Sequence, residues 1–187
     1  MKRRHAYIFA LFLATSLLPV ALRASQEDSI KAAYLYQIVH FVEWPKSRGS
    51  SGIFKICVFG KDSIIDKLAP LHMREGDGGH IEVLMPLKLP DILGCDILYI
   101  SEKEEDQLPL IFEILKGNPV VTISSIKGFI KQGGIIGFVN LNNTVRLEIN
   151  LSIATQAEVF LSAKLLEIAS FVVREQQERM QIDEEPL

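Results

Sequence analysis

The chain lacks the glycine patterns that hold phosphate groups. It contains no GxxxxGK[ST] motif, and "REGDGGH" (residues 74–80) has neither the spacing nor the strand-to-helix context of a dinucleotide-binding fingerprint. The stretch "KQGGIIGFV" (residues 131–139) leads into a predicted strand, so it offers no helix N-terminus to a phosphate. We interpret both glycine-rich stretches as turns.

Recognisable catalytic motifs are also missing. Ser124 and Ser125 follow a predicted strand, where α/β folds often place their sites, but "TISSIKG" is not a G-x-S-x-G elbow. His40 lies in the predicted first helix and could approach these serines only through the fold. The carboxylates of "SEKEEDQ" (residues 101–107) are interpreted as a solvated helix start. The sequence therefore predicts a protein that is not an enzyme.

No metal or cofactor is expected either. His72 and His80 flank two acidic residues, Glu75 and Asp77, and Glu82 follows. Their spacing matches no structural zinc pattern, and calcium would need a denser cage of oxygen ligands. A solvated loop is the better interpretation of this segment.

The N-terminus has the organisation of a secretory signal peptide. Basic residues at positions 2–4 precede an apolar run over 6–22, which ends in the small residues of "LRAS". We predict that residues 1–24 are a signal peptide cleaved after Ala24, which places the protein in the periplasm. The alternative is an uncleaved anchor, although the run is at the short end for a membrane-spanning helix.

Removal of the signal peptide leaves an acidic chain. The mature protein has 16 Lys and Arg against 23 Asp and Glu, a net charge of −7, and no basic cluster survives. A nucleic-acid-binding protein needs a basic face to displace counterions, so nucleic acid is not an expected partner. Residues 25–175 suit one domain with its own core, and 176–187 are predicted to be a disordered acidic tail.

The chain contains two cysteines, Cys57 and Cys95. Both fall on predicted strands, and an even number in an exported protein favours a disulfide. The alternative is a pair of buried free thiols that pack as small hydrophobic residues.

Strand and helix patterns alternate along most of the chain. "IFKICVFG", "CDILYIS" and "PVVTIS" are typical of buried strands, and helical segments separate them. "GGIIGFVNLNNTVRLEIN" predicts a β-hairpin that turns at residues 141–143. Apolar residues from Ile153 to Val172 recur at helical spacing and predict one long final helix. These patterns predict a single α/β domain with a mixed, mostly parallel sheet, a C-terminal β-hairpin, and helices on both faces.

The stretch "AYLYQIVHFVEWP" (residues 33–45) is apolar almost all round. It is too short to span a membrane, and it carries His40 and Glu43. We predict a core helix with a narrow polar stripe formed by four residues, which are Lys31, Gln37, His40 and Glu43. The wide apolar surface leaves open whether a second copy of the protein covers part of it.

Five blocks in order resemble the YfiR-like family of periplasmic proteins. They are "KAAYLYQIVHFVEWP", "FKICVFG", "GCDILYIS", the Ser-Ser-x-x-G-F loop with "GGIIGFV", and "RLEINLSIATQAEVFLSAKLLEIA". The resemblance covers about residues 27–173. It implies a periplasmic repressor that binds the periplasmic sensor domain of an inner-membrane diguanylate cyclase and so limits cyclic di-GMP and biofilm formation.

The resemblance also implies a homodimer, and some family members occur beside membrane receptors or signalling kinases. Cys57 and Cys95 match the cysteines of the family's first disulfide, whereas a second, C-terminal pair has no counterpart in this chain. The hairpin matches a surface region of the family, which makes Phe138, Arg146 and Glu148 candidate partner contacts. A binding protein for a small molecule, serving a receptor or transporter, is the alternative function, with its ligand at the C-terminal ends of the strands.

Overall fold

The computed structural model describes residues 24–44, 52–72, 75–76 and 79–174. Residues 1–23 of the predicted signal peptide and the whole predicted tail, 176–187, lie outside these ranges. No helix in the described ranges is both long enough and apolar enough to cross a bilayer.

The described elements alternate as the sequence predicts. The strands are β1 (Val42–Glu43), β2 (Ile53–Phe59), β3 (Glu75–Gly76), β4 (Gly79–Leu84), β5 (Ile97–Ile100), β6 (Val121–Ser124), β7 (Ile136–Leu141), β8 (Thr144–Asn150), β9 (Phe160–Leu161) and β10 (Phe171–Val173). The α-helices are α1 (residues 24–41), α2 (Ile64–Leu68), α3 (Leu108–Leu115), α4 (Leu151–Gln156) and α5 (Ala163–Ile168). Short 3-10 segments occupy Ala69–Leu71, Leu89–Gly94, Glu102–Gln107 and Phe129–Lys131.

The main sheet has the strand order β10-β8-β7-β6-β5-β2-β4-β3. Its centre, from β4 to β7, is parallel. At the edges, β3 runs antiparallel to β4 and β8 runs antiparallel to β7, and β10 pairs with β8 in parallel. The predicted mixed, mostly parallel sheet is therefore confirmed. The five parallel strands follow the doubly wound order 2-1-3-4-5, in which the direction of winding reverses between β2 and β5. A separate antiparallel pair joins β1 to β9.

Two hydrophobic layers cover the two faces of the sheet. The first layer packs α1, α2, α4 and α5 against residues such as Ile56, Tyr99 and Leu147. The second packs α3 and the 3-10 segment Leu89–Gly94 against the opposite face, where Leu98 is fully buried. Helices therefore lie on both faces, as predicted.

The first helix confirms most of the predicted pattern. Leu35 and Ile38 are fully buried, and His40 is exposed. Glu43 is also exposed, but it belongs to β1, because the helix ends at residue 41. Lys31 does not belong to the exposed stripe, because it is only 7% exposed and its Nζ lies 2.7 Å from Glu27 Oε1. A residue four positions earlier on the helix provides the counter-ion that permits this burial.

The predicted hairpin is confirmed by β7 and β8. The two-residue turn places Asn142 at φ +51° and Asn143 at φ +62°. Two successive positive φ values match the right-handed twist of the strands, and Asn tolerates them better than most residues.

The prediction of one long final helix is wrong. Helix α4 ends in a Schellman motif: Val159 N donates to Ala154 O, Glu158 N donates to Thr155 O, and Glu158 has φ +55°. Ser162 then caps α5, its Oγ accepting from Leu165 N at 3.3 Å. The chain forms β9 between these helices and returns to the sheet as β10. Tertiary pairing thus overrides a helical periodicity that runs through the whole segment.

Candidate functional site

The predicted disulfide is confirmed. It joins Cys57 on β2 to Cys95 immediately before β5, with a Cα–Cα distance of 5.9 Å. Both residues are buried in the layer that α3 covers. The adjacent Asp96 reinforces the same junction, since its Oδ2 accepts from Lys55 N at 2.8 Å and its N donates to Lys55 O at 3.0 Å. The bridge therefore connects the two strands at which the winding of the sheet reverses.

The crevice at the C-terminal ends of β2 and β5 is where this strand order usually places a ligand. In this protein the side chain of Glu104 lies against Gly60, at the position that a Cβ atom on that residue would occupy. Ser101 closes the crevice further, because its N donates to Phe59 O at 2.9 Å and its Oγ donates to Lys61 O at 3.2 Å. Glu104 and Ser101 therefore occupy part of the crevice in which the small-molecule site was expected.

A cavity of about 320 Å³ lies instead at the N-terminal end of the parallel strands. Its walls come from the end of α3, from the loops that lead into β6 and β7, and from α4. The wall residues are mainly apolar, and they include Phe112, Val120, Ile135 and Ile153. The sequence does not reveal this cavity, because it arises from loops and helices distant along the chain.

The structure separates the candidate nucleophiles from the candidate base. Ser124 is fully buried, with its Oγ donating to Ile100 O at 2.7 Å and accepting from Ile126 N at 3.1 Å. At the N-terminal end of α1, Asp28 Oδ2 accepts from Ser63 Oγ at 2.7 Å, which places this end beside the C-terminal end of the sheet. His40 is twelve residues further along α1, which corresponds to about 18 Å at 1.5 Å per residue. The serines and His40 therefore lie at opposite ends of the sheet, so His40 cannot act as a base for Ser124 or Ser125.

The structure places both histidines of the predicted solvated loop at β4, to which His80 belongs. Nδ1 of His72 accepts from Val83 N at 3.1 Å, which fixes the ring against β4. Within the described residues no group of three or more His, Cys, Asp or Glu side chains could hold a metal ion. Asp77 lies outside the described residues.

Phe138, the first candidate partner contact, is a core residue. It is 3% exposed and packs between Tyr34 and Tyr99, with ring centroids at 6.0 and 6.4 Å. The alternation of β7 directs Phe138 toward α1. Its side chain is therefore buried, although a surface position was expected. Arg146 is exposed and Glu148 is partly exposed, and both point to the opposite face of the sheet.

Arg146 and Glu148 belong to a part of the sheet that none of the described helices covers. Over β2, β5 and β6 the residues on this face, such as Leu98 and Ser124, are buried under α3 and its neighbours. On this face of β7 and β8, Gly137 and Asn150 are buried, but the residues nearer the hairpin turn and those of β10 remain accessible. We call them the hairpin face, which consists of Val139, Leu141, Thr144, Arg146, Glu148 and Phe171.

The hairpin face combines apolar area with charge. Leu141 is 49% exposed and Phe171 is 47% exposed, at the two ends of the surface. Phe171 lies opposite Glu148 in the sheet register, and Arg146 lies opposite Val139. Exposed aromatic and aliphatic side chains beside an arginine are the composition typical of protein-binding surfaces.

Two ionisable groups on the other face are perturbed by their surroundings. The hydrogen bond from Lys31 lowers the pKa of Glu27, and Asn140 Nδ2 donates to the same carboxylate at 3.2 Å. This carboxylate therefore links α1 to the end of β7. Burial raises the pKa of the Tyr99 phenol, whose oxygen lies 3.4 Å from Ser125 Oγ.

The comparisons with known proteins identify a family and a fold. A family model described as DUF4154, YfiR/HmsC-like, matches residues 28–170. The chain is similar to the crystal structure of a conserved domain protein from Vibrio cholerae O1 biovar El Tor strain N16961, with a TM-score of 0.51 and 12% sequence identity. That alignment covers 78% of this chain and 60% of the other chain, and at this identity it supports the fold alone. A search of curated proteins gives no match. Since the family model spans most of its length, the chain belongs to the YfiR/HmsC-like family.

Proposed function

We propose that the protein is a periplasmic signalling regulator. It binds the periplasmic sensor domain of an inner-membrane protein, represses a diguanylate cyclase and thereby lowers cyclic di-GMP and biofilm output. The family match over residues 28–170 is the observation that carries this proposal.

The hairpin face is the proposed partner-binding surface. Arg146 and Glu148 supply charges of opposite sign, and Leu141 and Phe171 supply apolar area that a partner would bury. Phe138 is omitted from this surface because it packs in the core and supports β7 from behind.

The disulfide has a structural role in this proposal. The chain has no second cysteine pair, and Cys57 and Cys95 are both buried. Thiol–disulfide exchange requires access of the attacking thiolate to a sulfur atom, so the folded protein protects this bridge. We therefore propose that redox conditions do not control partner binding in the folded state.

One observation favours the alternative function, a small-molecule-binding protein that serves a receptor or transporter. It is the cavity at the N-terminal end of the sheet, which lies at the low end of the volumes typical of ligand sites. Ligand binding and partner binding are compatible because the cavity and the hairpin face share no residue.

Affinity capture from solubilised inner membranes of the native host tests the proposal. We expect the tagged mature protein to retain a protein with a periplasmic sensor domain joined to a cyclase or kinase. Arg146→Glu and Leu141→Asp should each reduce this capture at least tenfold, because a charge at an apolar or oppositely charged contact is costly to bury.

Two matched variants control for nonspecific effects. Lys103→Glu reverses an exposed charge away from the hairpin face, and Leu110→Asp changes a leucine on α3 that is 47% exposed. Both should leave capture unchanged. Recovery of no membrane sensor, or equal loss in the control variants, would contradict the proposal. Size-exclusion chromatography with light scattering separately tests the expected homodimer.

A further inference from the structure

The cavity at the N-terminal end of the sheet is built from both faces of the fold. Phe112, Leu115 and Val120 come from the layer under α3, and Ile153 and Ala157 come from α4 on the other side. Some of its lining residues are exposed, so the cavity opens to solvent at its rim. At about 320 Å³ it accommodates a compact organic molecule of roughly the smallest ligand-site size.

The interior of the cavity offers a buried hydroxyl group. Thr122 is 4% exposed, and its Oγ1 accepts from Ile135 N at 3.0 Å. A threonine hydroxyl also carries one donor, and no described residue accepts that proton. An occupant with an oxygen acceptor would satisfy this donor inside an otherwise apolar wall.

One charged side chain lines the cavity, and the end of a helix dipole offsets its charge. Lys116 is the charged residue in its lining, and no carboxylate accompanies it. However, Lys116 directly follows α3, so its charge faces the negative end of that helix dipole. The C-terminal end of α4 contributes Gln156 and Ala157 to the same wall. A free anion would meet two helix C-termini, and a free cation would meet Lys116.

We propose that this cavity binds a compact, uncharged and largely apolar molecule that carries one oxygen acceptor, such as an alcohol, phenol or ketone. The apolar wall binds its hydrocarbon body, and Thr122 donates a hydrogen bond to its oxygen. The aromatic ring of Phe112, which packs against the backbone of Gly133, forms one side of the site.

Titrations followed by two-dimensional NMR test this site with three ligands of similar size. Benzyl alcohol is the neutral probe, and benzoate and benzylammonium are its charged counterparts. We expect saturable shifts in the amides around the cavity with benzyl alcohol, with a dissociation constant at least tenfold lower than for either charged ligand. No saturable binding of benzyl alcohol, or equal binding of a charged counterpart, would overturn the proposal.

Substitutions test whether the ligand binds in the cavity. Ala157→Leu fills the cavity from α4 and should abolish binding, while Ala33→Leu, at an exposed position of α1, should leave it unchanged. The amide spectra show whether each variant is folded.

The variants of Thr122 test the hydrogen bond. Thr122→Ser keeps the hydroxyl and should retain binding, whereas Thr122→Val should weaken the binding of benzyl alcohol at least threefold without weakening the binding of toluene. Binding that survives Ala157→Leu, or that is equal in the two Thr122 variants, would refute the assignment.

Discussion

Reduction of the Cys57–Cys95 disulfide should lower the stability of this protein substantially. The two cysteines are 38 residues apart, and the loop between them contains α2, β3, β4 and two 3-10 segments. In the chain-entropy model, closing a loop of this length removes about 13 cal/mol/K from the unfolded state, which gives about 4 kcal/mol at 25 °C. For a domain of this size, we expect the melting temperature to fall by roughly 8–16 °C.

Urea unfolding followed by tryptophan fluorescence measures this effect. Trp44 is the single tryptophan of the chain, its Nε1 donates to Val39 O at 3.1 Å, and its ring packs near Phe54. Its emission should therefore report loss of the tertiary structure. Reduction should also increase the dependence of unfolding free energy on urea, because the unfolded chain without the bridge exposes more surface.

A double variant, Cys57→Ala with Cys95→Ala, controls for the reductant itself. Its unfolding midpoint should not respond to reductant, whereas that of the parent protein should fall. Equal midpoints for the oxidised and reduced parent protein would refute the stabilising role of the bridge. Because both cysteines are buried, we further expect reduction to be slow in buffer and to accelerate as urea unfolds the protein.

Three smaller perturbations test other parts of the fold. Phe138→Ala should lower the free energy of unfolding in urea by about 3–5 kcal/mol because it empties a core position, whereas Arg146→Ala should change it by about 0.5 kcal/mol or less. Asn143→Gly should raise the melting temperature slightly, since glycine adopts the positive φ of the turn more readily, and a fall would contradict the turn assignment. The pKa of Glu27 is lower in the folded protein than its ordinary value of 4.5, so this group stabilises the fold above that pH, and the stability is lost as pH falls through the folded pKa. Glu27→Gln should therefore flatten the acid limb of a curve of unfolding free energy against pH. An unchanged limb would count against the link to Lys31.

The sequence predicts the strands and the hairpin well because their signals are local. Runs such as "CVF" in β2 and "ILYI" in β5 are buried on both faces, and a parallel sheet requires this of its central strands. The pair Asn142–Asn143 likewise predicts its own turn. The even number of cysteines in a chain with a predicted signal peptide favoured the bridge over free thiols, and the structure confirms it.

The predictions from sequence are wrong where contacts between distant parts of the chain determine the local structure. A helical periodicity continues through residues 153–172, but the capping geometry at Glu158 and Ser162 breaks it into two short helices and two strands. Ser162 was a local signal that could have indicated the second start. The side of the sheet to which Phe138 points depends on which face the helices cover, and the sequence of the strand does not contain this information.

The hairpin face and the cavity also depend on the assembled fold. The hairpin face exists because α3 covers only part of one side of the sheet, and β10 adds Phe171 beside Glu148. The cavity requires α3, α4 and two loops to meet. Alternation within β8 predicts that Arg146 faces away from the core, but it does not show that this face lacks a covering helix.

Site-specific photo-crosslinking in living cells of the native host tests the central claim most directly. A photoreactive residue at position 146, on the hairpin face, is compared with one at position 103, which is also exposed but lies outside that face. We expect an adduct with the periplasmic domain of an inner-membrane cyclase or kinase from position 146 and none from position 103. Absence of such an adduct at position 146, in cells where the folded protein is present, would contradict the claim that this protein regulates a membrane sensor through the hairpin face.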